Sequence, residues 1–172
     1  FAWEWLSDVA FGASFKAGGL AGVVLLAGLV IASAVTLSAR LTLRLGGDIF
    51  ITAAGSALLL AITSIHWLAR PHVFSWLLSL LALEILEREI QHHTNALFAF
   101  PVLTLLWANI HGSFMLGLGM IFVYAAGQWL DAGWSHTTKR LAVVGVLSSA
   151  ATLVNPYGWQ LHRHVLDFLK SN

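Results

Sequence analysis

The chain has 172 residues, of which 58% are hydrophobic and 10% charged, with 8 Trp, no Cys and a formal net charge of +1. Soluble domains carry about 25% charged residues, so an ordinary water-soluble core is excluded. The charge balance gives no basis for a nucleic-acid partner, and the lack of cysteine removes disulfides and thiolate metal sites.

Residues 1–16, FAWEWLSDVAFGASFK, are too polar to span a bilayer. Trp5, Leu6, Val9 and Ala13 recur at helical spacing, which predicts a short helix lying in the interface. Glu4 and Asp8, four apart, would share a face of it. Ala17 to Ala39 (23 residues) and Ile49 to Ala69 (21 residues) contain no Asp, Glu, Lys or Arg. Crossing about 30 Å of hydrocarbon takes roughly 20 helical residues, so both runs are long enough. The first span is predicted from Gly18 to Ala39, followed by Arg40, Arg44 and a break at Gly46-Gly47. The second runs from Ile49 to Leu68. Pro71 then disfavours α geometry at Arg70, and a third span covers Val73 to Leu86, near a Glu84–Arg88 pair of favourable orientation.

Ile90 to Leu130 is a stretch of 41 residues without formal charge. One helix of that length, rising about 1.5 Å per residue, would be twice as long as the membrane core is thick. Two crossings are expected instead, joined at NIHGSF around His111-Gly112. Irregular backbone there needs protein or a water-filled cavity around it. A sixth span, Leu141 to Val154, stops at NPYG. Residues 159–172 then place Leu161, Val165 and Leu169 on one face and Arg163, Asp167 and Lys170 on another, a second interfacial helix. The fold class is therefore all-α: a polytopic transmembrane helix bundle of about six hydrophobic segments within 18–154, in a single transmembrane domain over 1–172. A first residue Phe rather than Met, with no leader, leads us to expect a piece of a longer chain.

Counting crossings sorts the loops into two sets. Arg40, Arg44, Arg88, Lys139 and Arg140 fall in one, which the positive-inside rule favours as cytoplasmic. The other gathers Glu4, Asp8, His66, Arg70, His72, Asn109, His111, Asn155, Tyr157 and Arg163, with Trp3, Trp5, Trp67 and Trp159. Helix-end anchoring accounts for some of these. Asn109 and His111, however, interrupt a long apolar run, where polar groups usually face a cavity or a partner. These residues are the candidate substrate-binding set, with Glu4 and Asp8 as carboxylates near it. No metal-ligand spacing such as HExxH is present. Ser113 beside His111 offers a nucleophile and a base, but neighbours on a helix would point apart.

Four stretches, WEWLSDVAFGASFKAGGLAGVVLL, RPHVFSW, LLWANIHGSFMLGL and ATLVNPYGWQLHRHV, resemble in order a group of bacterial polytopic membrane proteins. That group is similar to the GT-C-fold glycosyltransferases, the class of the dolichyl-phosphate-mannose protein mannosyltransferases. The resemblance implies an enzyme of the bacterial inner membrane that takes a sugar from a polyprenyl-phosphate carrier at the extracytoplasmic face. It also implies an acidic residue on the first external loop as general base, and often a divalent metal. In that group an Asp-x-Trp-Trp-His-like stretch precedes the point where this chain begins, and the residue before Glu4 is often histidine where Trp3 stands here. The catalytic acid is therefore unassigned. Arg70 and Arg163 are the residues suited to a carrier phosphate. The alternative is a non-catalytic membrane subunit that binds lipid or a partner subunit through the polar face.

Overall fold

The computed structural model describes residues 3–170, and among these every regular element is helical. Seven α-helices follow in order: α1 Trp5–Arg44, α2 Ile49–Thr63, α3 His72–His92, α4 Phe100–Ile110, α5 Phe114–Ala132, α6 His136–Ala151 and α7 Trp159–Lys170. Short 3₁₀ turns extend α2 over Ser64–His66 and precede α4 over Asn95–Ala99. Three stretches are long and apolar enough to cross a membrane: Trp5–Arg44, Ile49–His66 and Phe114–Ala132. Their outward side chains include Leu20, Phe50 and Leu130, each at least three-quarters exposed, a surface suited to lipid rather than water. The protein is thus built to associate with a membrane. The other predicted spans fall short of that standard: α4 and α6 are only 11 and 16 residues long, and α3 carries Glu84, Glu87, Arg88 and Glu89.

The chain forms two compact units, Leu6–Leu81 and a second made of residues 3–5 with 82–170. In the first, α1 runs through the predicted interfacial helix and the first span together. The two are distinct all the same, because Gly18 (φ −148°, ψ 18°) and Gly19 (φ 59°, ψ −148°) break the helical geometry at the predicted junction. Only glycine tolerates Gly19's conformation without strain, and Gly22 faces the Ser14 backbone carbonyl too closely to admit a Cβ. Val30, Ile31 and Val73 form the core of this unit, with Phe11, Leu26, Phe74, Trp76 and Leu77 packed on them. Asp48 caps α2 by accepting the N–H groups of Phe50 (2.7 Å) and Ile51 (3.4 Å).

The second unit has α4 and α6 running in the same direction with α5 reversed. Three contacts fix that register: Arg140 Nη2 to the Thr94 carbonyl, Thr104 Oγ1 to the Ser148 carbonyl, and Asn109 Nδ2 to the Val154 carbonyl. Trp107, Phe100, Phe114, Leu141 and Val144 are fully buried there. A Cβ on Gly117 would lie 3.0 Å from the Trp107 ring, so that glycine lets α5 approach α4. Helix α6 begins earlier than the predicted Leu141, because Ser135 caps it by accepting the Thr138 N–H at 3.2 Å. Likewise α3 continues past the predicted Leu86 to His92, held by side-chain pairs rather than apolar periodicity. Arg88 Nε meets Glu84 at 2.5 Å, as expected. Glu87 accepts from Tyr124, and the fully buried Glu89 is bound by Arg140. Phe1, Ala2, Ser171, Asn172 and the side chain of Leu169 lie outside the described residues.

Candidate functional site

One end of the second unit collects its polar side chains. The α4–α5 turn brings His111 and Ser113 together there, since neither lies inside a helix. His111 Nδ1 stands 2.7 Å from Ser113 Oγ and accepts the Ser113 backbone N–H at 3.1 Å. The expectation that the two side chains point apart is therefore wrong: it assumed a helix where the backbone is a turn. Trp107 donates its indole N–H to Ser113 Oγ at 3.1 Å. On its other edge, His111 Nε2 faces Glu4 Oε1 at 3.4 Å, with the two side chains 27% and 35% exposed. Glu4 sits in the turn just before α1, outside the helix on which it would have shared a face with Asp8. Asp8 is exposed.

Aromatic rings lie on the segments next to this polar group, Trp3 beside Glu4 and Phe114 beside Ser113 in the chain. Trp3 stacks on His164 of α7 (4.1 Å between centroids, 9° between planes) and is tilted against Tyr157 at 4.8 Å. Phe114 meets His162 edge-on at 5.0 Å. Leu161 anchors α7 with 1% exposure, and Val165 lies against Gly112. His162 Nε2 lies 2.9 Å from Thr152 Oγ1, whose own hydrogen goes to the Ser149 carbonyl at 2.7 Å, so the ring donates. Burial holds the His162 imidazole below its usual pKa, and the Gly158 carbonyl works in the opposite direction.

Two of the expected ligand residues hold neighbouring segments of the chain together. Asn109, 4% exposed, donates to the Leu105 and Val154 carbonyls (2.8 and 2.9 Å) and accepts the Trp5 indole N–H at 2.8 Å. Its polar atoms are spent on tying α4 to α6 and to the start of α1. Asn155 donates to the Thr152 and Gly158 carbonyls and accepts the Tyr157 N–H, which shapes the turn before α7. Arg163 is exposed and faces Asp167 at 3.7 Å.

His66, Arg70 and His72 belong to the first unit, at the Pro71 break. The His72 ring donates from Nε2 to the His66 carbonyl at 3.0 Å and meets the Trp76 ring edge-on at 5.4 Å. Arg70 is exposed in the bend, its backbone N–H bonded to the Leu68 carbonyl at 2.8 Å. The expected helix stop is present, and it leaves the guanidinium open to solvent.

Among the described residues no group of three or more His, Asp or Glu is placed to hold a metal ion, so the divalent metal implied by the resemblance finds no ligand set in them. Sequence reasoning reached Glu4 and His111 separately. It missed their pairing and the parts played by Ser113, Trp107, Trp3 and His164. No protein-family profile matches the chain, and neither does any curated protein or any solved structure.

Proposed function

We propose that this chain is a membrane-embedded part of a glycosyltransferase that uses a polyprenyl-phosphate-linked sugar at the outer face of a bacterial inner membrane. The observation that carries the reading is the partly open Glu4–His111 pair beside Trp3 and Tyr157. A hydroxyl acceptor needs a proton acceptor within hydrogen-bond reach. The apolar face of a sugar ring packs well on amphipathic aromatic side chains, and one end of the second unit offers both. In this reading α3, α4 and α6 cross the membrane along with the three longer segments, six in all, with Glu84, Glu87 and Glu89 of α3 paired to Arg88, Tyr124 and Arg140. Arg70, at the Pro71 break of the first unit, is taken separately as a candidate phosphate ligand, because its fork can bind two oxygens at once.

The test is transfer of sugar from a polyprenyl-phosphate donor by the protein that contains this chain, purified into proteoliposomes. Wild type should transfer sugar and Glu4→Gln should not. Donor binding without turnover in wild type, unchanged in Glu4→Gln, would replace the reading with that of a non-catalytic subunit.

A further inference from the structure

The hydrogen-bond directions around His111 deepen the transferase reading, and the role they give Glu4 rests on it. An indole nitrogen can only donate, so Trp107 occupies a lone pair of Ser113 Oγ. Ser113 Oγ keeps a second lone pair, so its 2.7 Å contact with His111 Nδ1 could by itself run either way. The Ser113 backbone N–H points at the same nitrogen. A backbone N–H can only donate, so Nδ1 is the acceptor of the neutral ring, the Ser113 hydroxyl hydrogen turns toward it, and the ring hydrogen sits on Nε2, on the side of Glu4. The chain of donors starts from a residue that cannot shift easily, since Trp107 is fully buried against Gly117.

We propose that His111 is a positioning residue for Glu4: Trp107 and Ser113 fix its tautomer, and its Nε2–H faces the Glu4 carboxylate at 3.4 Å, near enough to orient one of its oxygens. Held in this orientation, the carboxylate receives the proton of the acceptor hydroxyl. In the step this serves, a bond forms between the acceptor oxygen and the anomeric carbon while the bond from that carbon to the carrier phosphate oxygen breaks. The phosphate leaves with the electron pair, and the proton passes to Glu4.

A purely local role competes with this one, in which His111 Nδ1 only caps the turn by accepting the Ser113 N–H. Two substitutions separate them. His111→Gln can present an amide N–H where Nε2–H stood but loses the acceptor toward Ser113. His111→Asn keeps an acceptor near Ser113 and loses the reach to Glu4. In the sugar-transfer assay, His111→Gln should stay close to wild type, while His111→Asn should lose at least about tenfold in kcat with KM little changed, as for one charge-assisted hydrogen bond. Equal losses, or better activity from His111→Asn, would overturn the proposal. Heteronuclear NMR of the histidine ring nitrogens in the full chain supplies a readout apart from turnover. His111 should carry its proton on Nε2, and a proton on Nδ1 would sink the relay. Absence of any transfer by wild type would defeat the transferase reading, and the Glu4 role with it, while the NMR result would still decide whether the relay exists.

Discussion

Replacing Arg140 with methionine should strand a carboxylate in the core of the second unit. Glu89 is fully buried, and Arg140 holds both of its oxygens, through Nε at 2.7 Å and Nη2 at 3.1 Å. The same Nη2 donates to the Thr94 carbonyl at 2.9 Å, and the guanidinium lies 5.1 Å from the centre of the Phe98 ring. Arg140→Met thus removes three hydrogen bonds and leaves a buried charge without a counter-ion, at a cost of about 3–5 kcal/mol. Arg88 is the internal control: its bond to Glu84 is short, but its side chain is 46% exposed, so Arg88→Met should cost no more than about 1 kcal/mol. Replacing both buried partners by apolar residues, Glu89→Leu with Arg140→Met, should recover most of the loss, since the desolvated charge goes with its partner. Denaturant unfolding followed by tryptophan fluorescence, in one fixed detergent, gives the values for wild type, Arg140→Met, Arg88→Met, Glu89→Leu and the double variant. An Arg140→Met cost no larger than that of Arg88→Met would refute the reasoning, as would a double variant as unstable as the sum of its singles.

Cysteines placed at positions 93 and 111 should be labelled by an impermeant reagent from opposite sides of the membrane, and labelling from the same side would rule out a crossing between them. If Arg70 binds a carrier phosphate, Arg70→Ala should weaken polyprenyl-phosphate binding by roughly 10- to 150-fold, and Arg70→Lys should lose the two-oxygen geometry and bind less well than wild type. Equal binding by all three reduces Arg70 to a helix-end anchor. The lowered pKa of His162 means that the unfolded chain takes up the extra proton. Its contribution is therefore complete above the unfolded value of about 6.5 and is lost as pH falls through the lower folded value. His162→Gln should flatten the pH dependence of unfolding in that window, and an unchanged profile would place the titrating group elsewhere.

The breaks in the fold were legible because they rest on local chemistry. Pro71, the His111-Gly112 turn and the NPYG stop each act through the backbone of a few neighbouring residues, and each falls where the sequence puts it. Helix ends set by a single side chain were harder: the Ser135 cap starts α6 ahead of its apolar run, and acidic pairs carry α3 beyond its own. The candidate site was legible only in its parts. Asn109 stood out as a polar residue in an apolar stretch, yet nothing local distinguishes an amide that lines a cavity from one that ties three backbone segments together. Glu4 with His111, Glu87 with Tyr124 and Glu89 with Arg140 are brought together by topology across long separations, and no sequence period marks them.

Helix α2 turns Phe50, Ile51, Leu58 and Ile62 outward at 60–80% exposure, and only Thr52 among its residues is buried. Such a helix takes little of its placement from neighbouring helices, so its fate is decided during synthesis. Leu, Ile and Phe each favour insertion by about 0.3–0.6 kcal/mol at a helix centre, whereas one Arg opposes it by roughly 2.5–3.5 kcal/mol. Conservative changes along α2 should pass unnoticed, while a single arginine at Leu59 would divert the nascent segment from the translocon's lateral exit. The damage would appear as a lower yield of integrated protein, carried by a step that ends before the tertiary structure exists.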